Sequence, residues 1–298
     1  MTALPPAGDP GRLPPISAVV ITKNAERHLA AVLDSVDFCA ERLVLDSGST
    51  DGTIAIAQTA GARVEHQEFL GYGPQKRRAV ALAHHDWILA IDADEVLDDE
   101  AQQAVRAAVL DDPTTCYALR RRTFVGRREV RHGPWSDDRV LRLFNRRTAS
   151  FKPLPVHEEV EASRLPILLS GSILHYSYAS CGDVLARSLR YAPLKAEIMR
   201  GKRQRTSSLT MPLRGLTAFL KSYVLRGGWR DGAAGFVVAL ARVIDSTLPR
   251  AMLLENEALP DERPSDTAVQ PADRSAASIA SRSAGSGAES VSRSPEAG

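Results

Sequence analysis

Two aspartates, Asp92 and Asp94, follow directly after an apolar run at positions 87–91. A short apolar run that ends abruptly in acids is typical of a strand buried on both faces of a parallel sheet. In open α/β sheets, ligands bind at the carboxyl ends of such strands. Mg²⁺ in proteins is usually held by one or two carboxylates together with substrate phosphates. The pair therefore predicts an α/β fold with a binding site for a phosphorylated ligand.

The residues around this run alternate between two hydrophobic periodicities. They predict strand and helix in turn at residues 16–22, 26–36, 42–45, 51–60, 62–65, 74–83, 86–91 and 100–110. Strands that alternate with helices over short connections indicate βαβ units, a parallel sheet and right-handed crossovers. Further strands without intervening helices, which predict an antiparallel or mixed extension of the sheet, are expected at 116–121, 139–144 and 167–175.

Composition divides the chain into four predicted regions. These are a disordered lead at 1–14, an α/β domain at 15–180, a basic amphipathic helical region at 181–257 and a disordered tail at 258–298. The lead is rich in Pro and Gly, and the tail is dominated by small and charged residues without aromatics. A tail of this composition buries too little apolar surface to offset the entropy lost on ordering.

The charge is distributed unevenly. The net charge of the 298-residue chain is only +2, but residues 187–230 contain eleven Lys and Arg against a single acid. A basic amphipathic helix is attracted to an anionic membrane surface, whereas an ordinary surface helix packs its apolar stripe on the core and solvates its charges. No recognised nucleic-acid-binding fold accompanies the charges, so nucleic acid is not expected as a partner.

The cysteines and the apolar segments bear on the compartment. Cys39, Cys116 and Cys181 lie far apart without metal-ligand spacing, which indicates reduced thiols and favours a cytoplasmic location. Residues 1–15 lack the apolar core of a signal peptide, and no run of about 18 apolar residues predicts a transmembrane helix. A peripheral place on the cytoplasmic face of an inner membrane is compatible with this prediction.

Two earlier strands of the predicted sheet also end in polar loops, at residues 22–26 and 46–53. Gly48 allows the backbone to approach a ligand closely, and Ser49 or Asp51 would cap the next helix, whose N-terminus would then face the ligand. Each loop taken alone is read more simply as an ordinary helix cap. Three polar loops at one edge of the sheet favour a ligand site.

These motifs resemble, in order and spacing, those of family 2 inverting glycosyltransferases with the GT-A fold. The resemblance is carried by residues 21–24, 46–53, 73–79 and 92–95. Residues 140–144, 156–158 and 174–178 resemble a narrower branch, the bacterial lipopolysaccharide-core β-1,4-glucosyltransferases. The resemblance extends from about residue 16 to residue 257. It implies a Rossmann-like, mostly parallel sheet with an antiparallel extension and C-terminal helices.

The resemblance also implies roles for individual residues. Asp46 would contact the nucleotide base, and Lys76 with Arg77 or Arg78 would lie near the nucleoside or the phosphates. Asp92 would bond to ribose or sugar hydroxyls, and Asp94 would ligate Mg²⁺ or Mn²⁺ at the diphosphate. The residues implied to bind the nucleotide sugar are Thr22, Asn24, Asp46, Ser47, Gly48, Lys76, Arg77 and Asp92.

An inverting transfer also requires a general base on the face of the sugar opposite the leaving group. The candidates are Asp137, Asp138, Glu158 and Glu159. Glu158 is favoured because it belongs to the Val-His-Glu element of the narrower branch, and Asp137, close to Trp135, is the second choice. The alternative is that Glu158 is a surface acid.

Two histidines have open roles. His157 would complete a metal site, because imidazole can join carboxylates there, or it would simply pack or cap. His175 would line the acceptor pocket or contact the diphosphate. The simpler interpretation, which we favour for His175, is a packed aromatic end of a strand.

The resemblance implies a metal-dependent enzyme that transfers a hexose from UDP-glucose or a related donor to a glycolipid such as a lipopolysaccharide core. Two alternatives retain the fold: a different envelope polysaccharide or a protein as acceptor, and a non-catalytic relative that binds carbohydrate or lipid. A nucleotidyltransferase is disfavoured, because the loop after the first strand has no glycine.

Overall fold

Nine strands form one mixed sheet in the computed structural model, which describes residues 13–152, 159–204 and 206–258. The strands of the first half are β1 (Ile16–Thr22), β2 (Glu41–Asp46), β3 (Arg63–His66), β4 (Trp87–Ala90) and β5 (Glu95–Leu97). The helices between and after them are α1 (Glu26–Asp34), α2 (Thr53–Thr59), α3 (Tyr72–Leu82) and α4 (Asp99–Arg106). Strands β3, β2, β1 and β4 are neighbours and parallel, so the predicted βαβ units are confirmed.

The second half extends the sheet and adds a small pair of strands. Its strands are β6 (Cys116–Val125), β7 (Arg128–Val130), β8 (Asp138–Asn145), β9 (Ala149–Phe151), β10 (Val160–Ala162) and β11 (Ile167–Tyr178). Strand β8 pairs antiparallel with β4 and β6, while β11 runs parallel to β6 and antiparallel to β5. The predicted extension is therefore present. The sequence did not indicate β5 and β7, because strands of three residues show no periodicity.

Both faces of the central strands are buried, which explains their continuous apolar sequences. On β1, Ala18 and Val20 belong to a core formed with α1, whereas Val19 faces the other side and packs in a core that includes Ala79 of α3. This double burial is the arrangement that the uninterrupted run before Asp92 predicts.

Three helices complete the fold: α5 (Cys181–Gly201), α6 (Met211–Leu220) and α7 (Gly232–Ala258). Helix α6 continues into a π-helical turn, Lys221–Leu225, and a 3₁₀ turn, Gly228–Asp231, precedes α7. Gly215 allows α6 to approach α7 closely, since a Cβ there would lie 3.1 Å from a side-chain atom of Thr247. No helix in the described chain is both long and apolar enough to span a bilayer.

The described residues up to Asn256 belong to one compact unit. The predicted boundary at residue 181 stays a prediction. Residues 1–12 of the predicted lead and 259–298 of the predicted tail lie outside the described residues, as does the segment 153–158.

The hairpin formed by β6 and β7 is held by one acid. Glu129 accepts hydrogen bonds from Nε and Nη2 of Arg122, both at 2.8 Å, and from Nε of Arg131 at 2.9 Å. The hydrogen bonds from Arg122 are the largest influence on the pKa of Glu129, which falls to about 2 despite partial burial.

We expect Glu129→Gln to lower the free energy of unfolding at pH 6, and to have less effect as the pH falls. A carboxylate whose folded-state pKa is depressed stabilises the protein above its unfolded-state pKa, here about 4.5, and loses that contribution as pH falls through its folded value near 2. Urea unfolding across this range measures the difference, with the exposed Glu68→Gln as control. If the loss of unfolding free energy in Glu129→Gln did not change with pH, a depressed pKa of Glu129 would be contradicted.

Candidate active site

A cleft of about 610 Å³ lies at the carboxyl ends of the parallel strands. Thr22, Ser47, Asp92 and Asp94 all line it, although they come from three different strand ends. A cavity of this size is in the range that binds nucleotides and other organic ligands. The structure therefore brings together the polar loops that the sequence predicted to meet at one edge.

The loop between β4 and β5 carries the two aspartates and is fixed on both sides. The carbonyl of Asp92 accepts from the amide of Glu95 at 3.0 Å, which closes a turn. The carbonyl of Asp94 accepts from the amide of Tyr176 at 2.9 Å, because β5 pairs with β11 and Glu95 lies opposite His175. Asp94 is thereby held beside the end of β11, which the sequence alone did not reveal.

Asp92 is paired with two cations. Its Oδ1 lies 2.6 Å from Nζ of Lys76, and its Oδ2 lies 2.9 Å from Nη2 of Arg142. Burial by itself would raise the pKa of Asp92, but the charges of Lys76 and Arg142 outweigh it and hold the pKa well below its usual value. Asp92 is therefore an anion of fixed orientation. The ammonium group of Lys76, which we expected near the nucleoside or phosphates, lies buried against this carboxylate.

Further charged residues continue from Asp92, and two of them, Arg121 and Asp138, line the cleft. Nη2 of Arg142 also lies 2.6 Å from the fully buried Glu95, whose second cation is Arg121 at 3.2 Å. Arg121 in turn lies 2.7 Å from Asp138. We call this alternating set the charge network; its members are Lys76, Asp92, Arg142, Glu95, Arg121 and Asp138. Sequence reasoning did not single out Arg142 or Glu95, although a charged residue inside the apolar run 140–144 is a sign of a buried ion pair.

Asp94 has a different environment. Its Oδ2 accepts from Oγ of Ser177 at 3.2 Å and lies 3.6 Å from Nε2 of His175. Burial, reinforced by the charges of Asp92 and Glu95, raises the pKa of Asp94 above its usual value. Burial also lowers the pKa of His175, which favours the neutral imidazole. The carboxylate of Asp94 thus lacks the strong cation partners of Asp92 and sits where an added cation would be favourable.

His175 is a component of the cleft rather than a packed strand end. Its side chain and that of Ser177 lie on the same face of β11, two residues apart, and both line the cleft. The favoured sequence interpretation of His175 was therefore wrong, and the less favoured placement in the pocket is the one observed. The alternation of His175 and Ser177 was visible in the sequence, but the antiparallel pairing of β11 with β5 was not.

These two groups suit a divalent cation. A carboxylate and a neutral imidazole are common ligands of Mn²⁺, and substrate phosphates supply further oxygens. No cluster of three or more His, Cys, Asp or Glu side chains with metal-binding geometry occurs among the described residues. Asp94 and His175 therefore fit a metal that is shared with a phosphorylated ligand. His157, the other predicted ligand, lies outside the described residues.

The loop after β2 is organised by Asp46. Its carboxylate accepts from Oγ1 of Thr22 at 3.0 Å, from the amide of Gly48 at 2.8 Å, and from the amide and the hydroxyl of Ser49 at 2.8 and 2.5 Å. Burial opposes these bonds, but together they keep the pKa of Asp46 low. Gly48 has φ +84°, a conformation that favours glycine. In this structure Asp46 shapes the loop, with Thr22 and Ser47 at the cleft surface.

Two other residues predicted to bind the nucleotide lie at the edge. Asn24 is exposed and accepts from the amide of Thr50 at 2.9 Å, so it joins the loops after β1 and β2. Arg77 is exposed on α3 and is not among the residues that line the cleft.

The candidate bases occupy different places. Asp138 lines the cleft. Asp137 does not, and its side chain is 66% exposed and paired with Arg139. Glu159 is exposed and paired with Lys152 at 2.7 Å. Glu158 lies outside the described residues, so its role stays a prediction.

An aromatic wall lines the same cleft as the aspartates. The rings of Trp135 and Tyr178 stack with centroids 5.4 Å apart. The guanidinium of Arg187 lies 5.4 Å from the centroid of Tyr178 and has no carboxylate partner in the described chain. Trp135, Tyr178 and Arg187 all line the cleft, which therefore combines a flat apolar surface with a cation. The role of Arg187 was missed because the sequence showed it only as one of many basic residues.

Comparison with known proteins shows which family the sequence resembles. Residues 17–165 match the sequence model described as Glycosyl transferase family 2. The lipopolysaccharide core biosynthesis glycosyltransferase LpsC of Rhizobium meliloti (strain 1021) is 30% identical over 261 residues, 82% of this chain and 94% of that protein. An uncharacterized glycosyltransferase of Rickettsia felis is 29% identical over 260 residues, 81% of this chain and 92% of that protein.

Solved structures are similar over a shorter stretch. Among them is glucosyl-3-phosphoglycerate synthase from Mycobacterium tuberculosis in complex with Mn²⁺, UDP and glucosyl-3-phosphoglycerate, with 28% sequence identity. The match covers 37% of this chain and 43% of that chain, with a TM-score of 0.29. The chain thus spans less than half of that structure, and a TM-score this low supports no conclusion about fold or ligands.

Proposed function

Because this chain belongs to glycosyltransferase family 2, we propose that it transfers a hexose from a nucleoside-diphosphate sugar to a hydroxyl group of a glycolipid, with inversion at the anomeric carbon. The chain is a glycosyltransferase, and its mixed α/β sheet is the GT-A fold that the resemblance implied. The proposal rests chiefly on one observation: the acids of the loop after β4 and the carboxylate of Asp138 line the same cleft.

The donor side of the proposal is the loop after β4 together with the first two strand ends. Asp92, held as an anion by Lys76 and Arg142, would accept hydrogen bonds from ribose or sugar hydroxyls. The loops at Thr22 and Ser47 would receive the nucleoside, and UDP-glucose is the donor that we propose. Arg187, which has no acid partner in the described chain, would contact the diphosphate as a cation.

Asp94 and His175 would hold Mg²⁺ or Mn²⁺ at the diphosphate. When bound, the metal would stabilise the negative charge that develops on the leaving nucleoside diphosphate. The raised pKa of Asp94 supports this assignment, because partial burial and the charges of Asp92 and Glu95 oppose its ionised form and an added cation would offset them. The lowered pKa of His175 favours the neutral imidazole, which is the form that binds a metal.

Asp138 is the general base that the geometry supports. The acceptor oxygen would attack the anomeric carbon as its proton passes to the carboxylate, and the bond between the sugar and the diphosphate would break on the opposite face. Both short contacts of Asp138 with Arg121 use Oδ2, which leaves Oδ1 without a partner among the described residues. Arg121 would therefore orient the base without occupying the oxygen that receives the proton.

The acceptor is proposed to be a lipopolysaccharide-core glycolipid, as the similarity to LpsC suggests. The stacked rings of Trp135 and Tyr178 support a sugar acceptor, because flat aromatic surfaces pack well against sugar rings. Such an acceptor lies at a membrane, and we place the enzyme on the cytoplasmic face of an anionic membrane through residues 187–230. The free thiols of Cys39, Cys116 and Cys181 suit a reducing compartment.

Release of nucleoside diphosphate from a panel of nucleotide sugars, with and without a lipopolysaccharide-core acceptor, tests this function. We expect acceptor-dependent release from one uridine-linked donor. Asp138→Asn should lower kcat by about 10²–10⁴-fold with donor affinity unchanged, the usual contribution of a general base.

Asp137→Asn is the matched control, because it alters the adjacent exposed acid, and its activity should stay near that of the wild type. If Asp138→Asn is active and Glu158→Gln is not, the base is Glu158 as the sequence predicted. No release from any donor, in a folded protein that binds carbohydrate, would support a non-catalytic relative.

A further inference from the structure

Helix α6 and the turns around it expose a row of large apolar side chains. Leu209, Leu213, Leu216, Leu220 and Val224 recur at helical spacing, and their exposed fractions range from 43% to 88%. Leu225 at 80% and Trp229 at 56% continue the row toward α7. We call these seven residues the α6 surface. A contiguous patch of exposed apolar side chains is unusual on a protein surface in water. Such a patch marks a surface that binds a protein, a ligand or a membrane.

The opposite side of α6 already has a partner. Gly215 faces α7 at Val243 and Thr247, and the aromatic rings of Phe219 and Tyr223 pack against Phe236. The helix is therefore anchored to the fold by one side, and the row of leucines points away from that anchor. The exposure of the row is a consequence of how α6 packs, since its apolar residues cover more of the helix circumference than α7 can bury.

The charge around this surface selects one kind of partner. Arg214, Lys221, Arg226 and Arg230 lie within or beside the row, and no Asp or Glu occurs between residues 198 and 230. Apolar residues bordered by cations complement a bilayer interface, where acyl chains receive the leucines and anionic headgroups receive the cations. A protein partner would need a matching acidic rim, whereas an anionic bilayer supplies both features at once.

The α6 surface is also tied to the cleft. The amide of Gly133 donates to the carbonyl of Arg226 at 3.0 Å, and Nδ1 of His132 lies 2.9 Å from Oδ1 of Asp231. Gly133 begins the short 3₁₀ turn that carries Trp135 into the cleft. The wall that would receive the acceptor sugar is thus hydrogen-bonded to the end of the exposed row.

We propose that the α6 surface docks on an anionic bilayer, with its leucines at the acyl boundary, and so holds the acceptor side of the cleft at the membrane. This inference extends the proposed function, because the link to a glycolipid acceptor rests on that function. It also restricts the membrane contact to part of the region 187–230. Arg187 lies in the cleft and Lys195 pairs with Asp245 at 2.6 Å, so neither belongs to the membrane contact.

Sedimentation of the full chain with lipid vesicles tests the surface without donor or acceptor. Vesicles of phosphatidylcholine with about 30 mol% phosphatidylglycerol are compared with phosphatidylcholine alone. We expect binding only to the anionic vesicles, and a loss of about tenfold or more in Leu213→Ser/Leu216→Ser, since two partly inserted leucines are removed. Leu165→Ser/Ile167→Ser, which alters two exposed apolar residues elsewhere, should bind as the wild type does.

Charge is tested separately from apolar contact. Arg214→Gln/Lys221→Gln should weaken binding to anionic vesicles several-fold, whereas Arg27→Gln/Arg147→Gln, at exposed sites on α1 and after β8, should not. Equal binding by the leucine variant and the wild type, or equal binding to both vesicle types, would overturn the proposal. A dimer in solution that dissociates in the leucine variant, with no vesicle binding, would assign the surface to a second copy. Because no sugar transfer is measured, these outcomes are independent of the proposed activity.

Discussion

Asp94→Asn is expected to lower the rate of sugar transfer by about 10³-fold. A metal that neutralises a leaving diphosphate contributes several kcal/mol to the transition state, and each 1.36 kcal/mol is about a factor of ten in rate. Asparagine keeps the shape of the side chain and its contact with Ser177, but it is a much weaker metal ligand.

The same substitution is expected to leave the fold intact. Because the pKa of Asp94 is raised, its ionised form is disfavoured in the metal-free folded state, so a neutral amide should keep or raise the free energy of unfolding. Loss of activity together with unchanged or higher stability would distinguish a metal ligand from a structural acid.

Three measurements check this result. Chelation by EDTA should abolish transfer by the wild type, Mn²⁺ or Mg²⁺ should restore it, and Mn²⁺ titration followed by electron paramagnetic resonance should show weaker binding by Asp94→Asn. The exposed Asp111→Asn is the control and should resemble the wild type throughout. Transfer that survives both EDTA and Asp94→Asn would refute a metal at this position.

Arg142→Met is expected to have the largest effect on stability, lowering the free energy of unfolding by about 3–5 kcal/mol. The side chain of Arg142 is nearly buried and binds both Asp92 and Glu95. Its removal leaves the fully buried Glu95 and the partly buried Asp92 with one fewer cation between them. The energy of an uncompensated buried charge is far larger than that of a surface pair.

Arg139→Met provides a matched control on the same strand. Arg139 pairs with Asp137, but both side chains are at least half exposed, so the loss should be about 0–1 kcal/mol. Urea unfolding of both variants at pH 7 measures the contrast. Similar losses in the two variants would mean that the charge network does not stabilise the fold as described. Reduced donor affinity in Arg142→Met would further indicate that Asp92 needs both cations to hold its orientation.

The parallel half of the sheet could be predicted from the sequence because each of its strands is indicated by the hydrophobic pattern of adjacent residues. Strand β1 has the predicted bounds, since a seven-residue run with five apolar residues, buried on both faces, leaves one interpretation. The second half was harder, because its short strands gain their stability from neighbours distant in the chain. Strand β5 has only three residues and pairs with β11, almost eighty positions later.

The residues of the candidate site also fall into two groups, those that local motifs indicate and those that only strand pairing brings to the site. Asp92 and Asp94 were found because each follows an apolar strand within a few residues. His175, Asp138 and Arg142 gain their roles only from strand pairing, which sets His175 beside Asp94 and Arg142 under Asp92. For Lys76, the sequence indicated the motif but not the environment of the side chain. Its position in a recognisable motif could be read from the sequence, whereas its burial against Asp92 could not.

The α/β class, the family resemblance and the edge of the sheet where a phosphorylated ligand would bind could all be predicted from the sequence, because they depend on periodicity and on motifs of a few residues. Which carboxylate is neutralised by the protein, and which is left for a cation, depends on contacts that form only in the folded chain. Asp92 and Asp94 are two residues apart, yet Lys76 and Arg142 reach only the first. The difference arises because the electrostatic environment of a buried group is set by residues that the fold brings near it, wherever they stand in the chain.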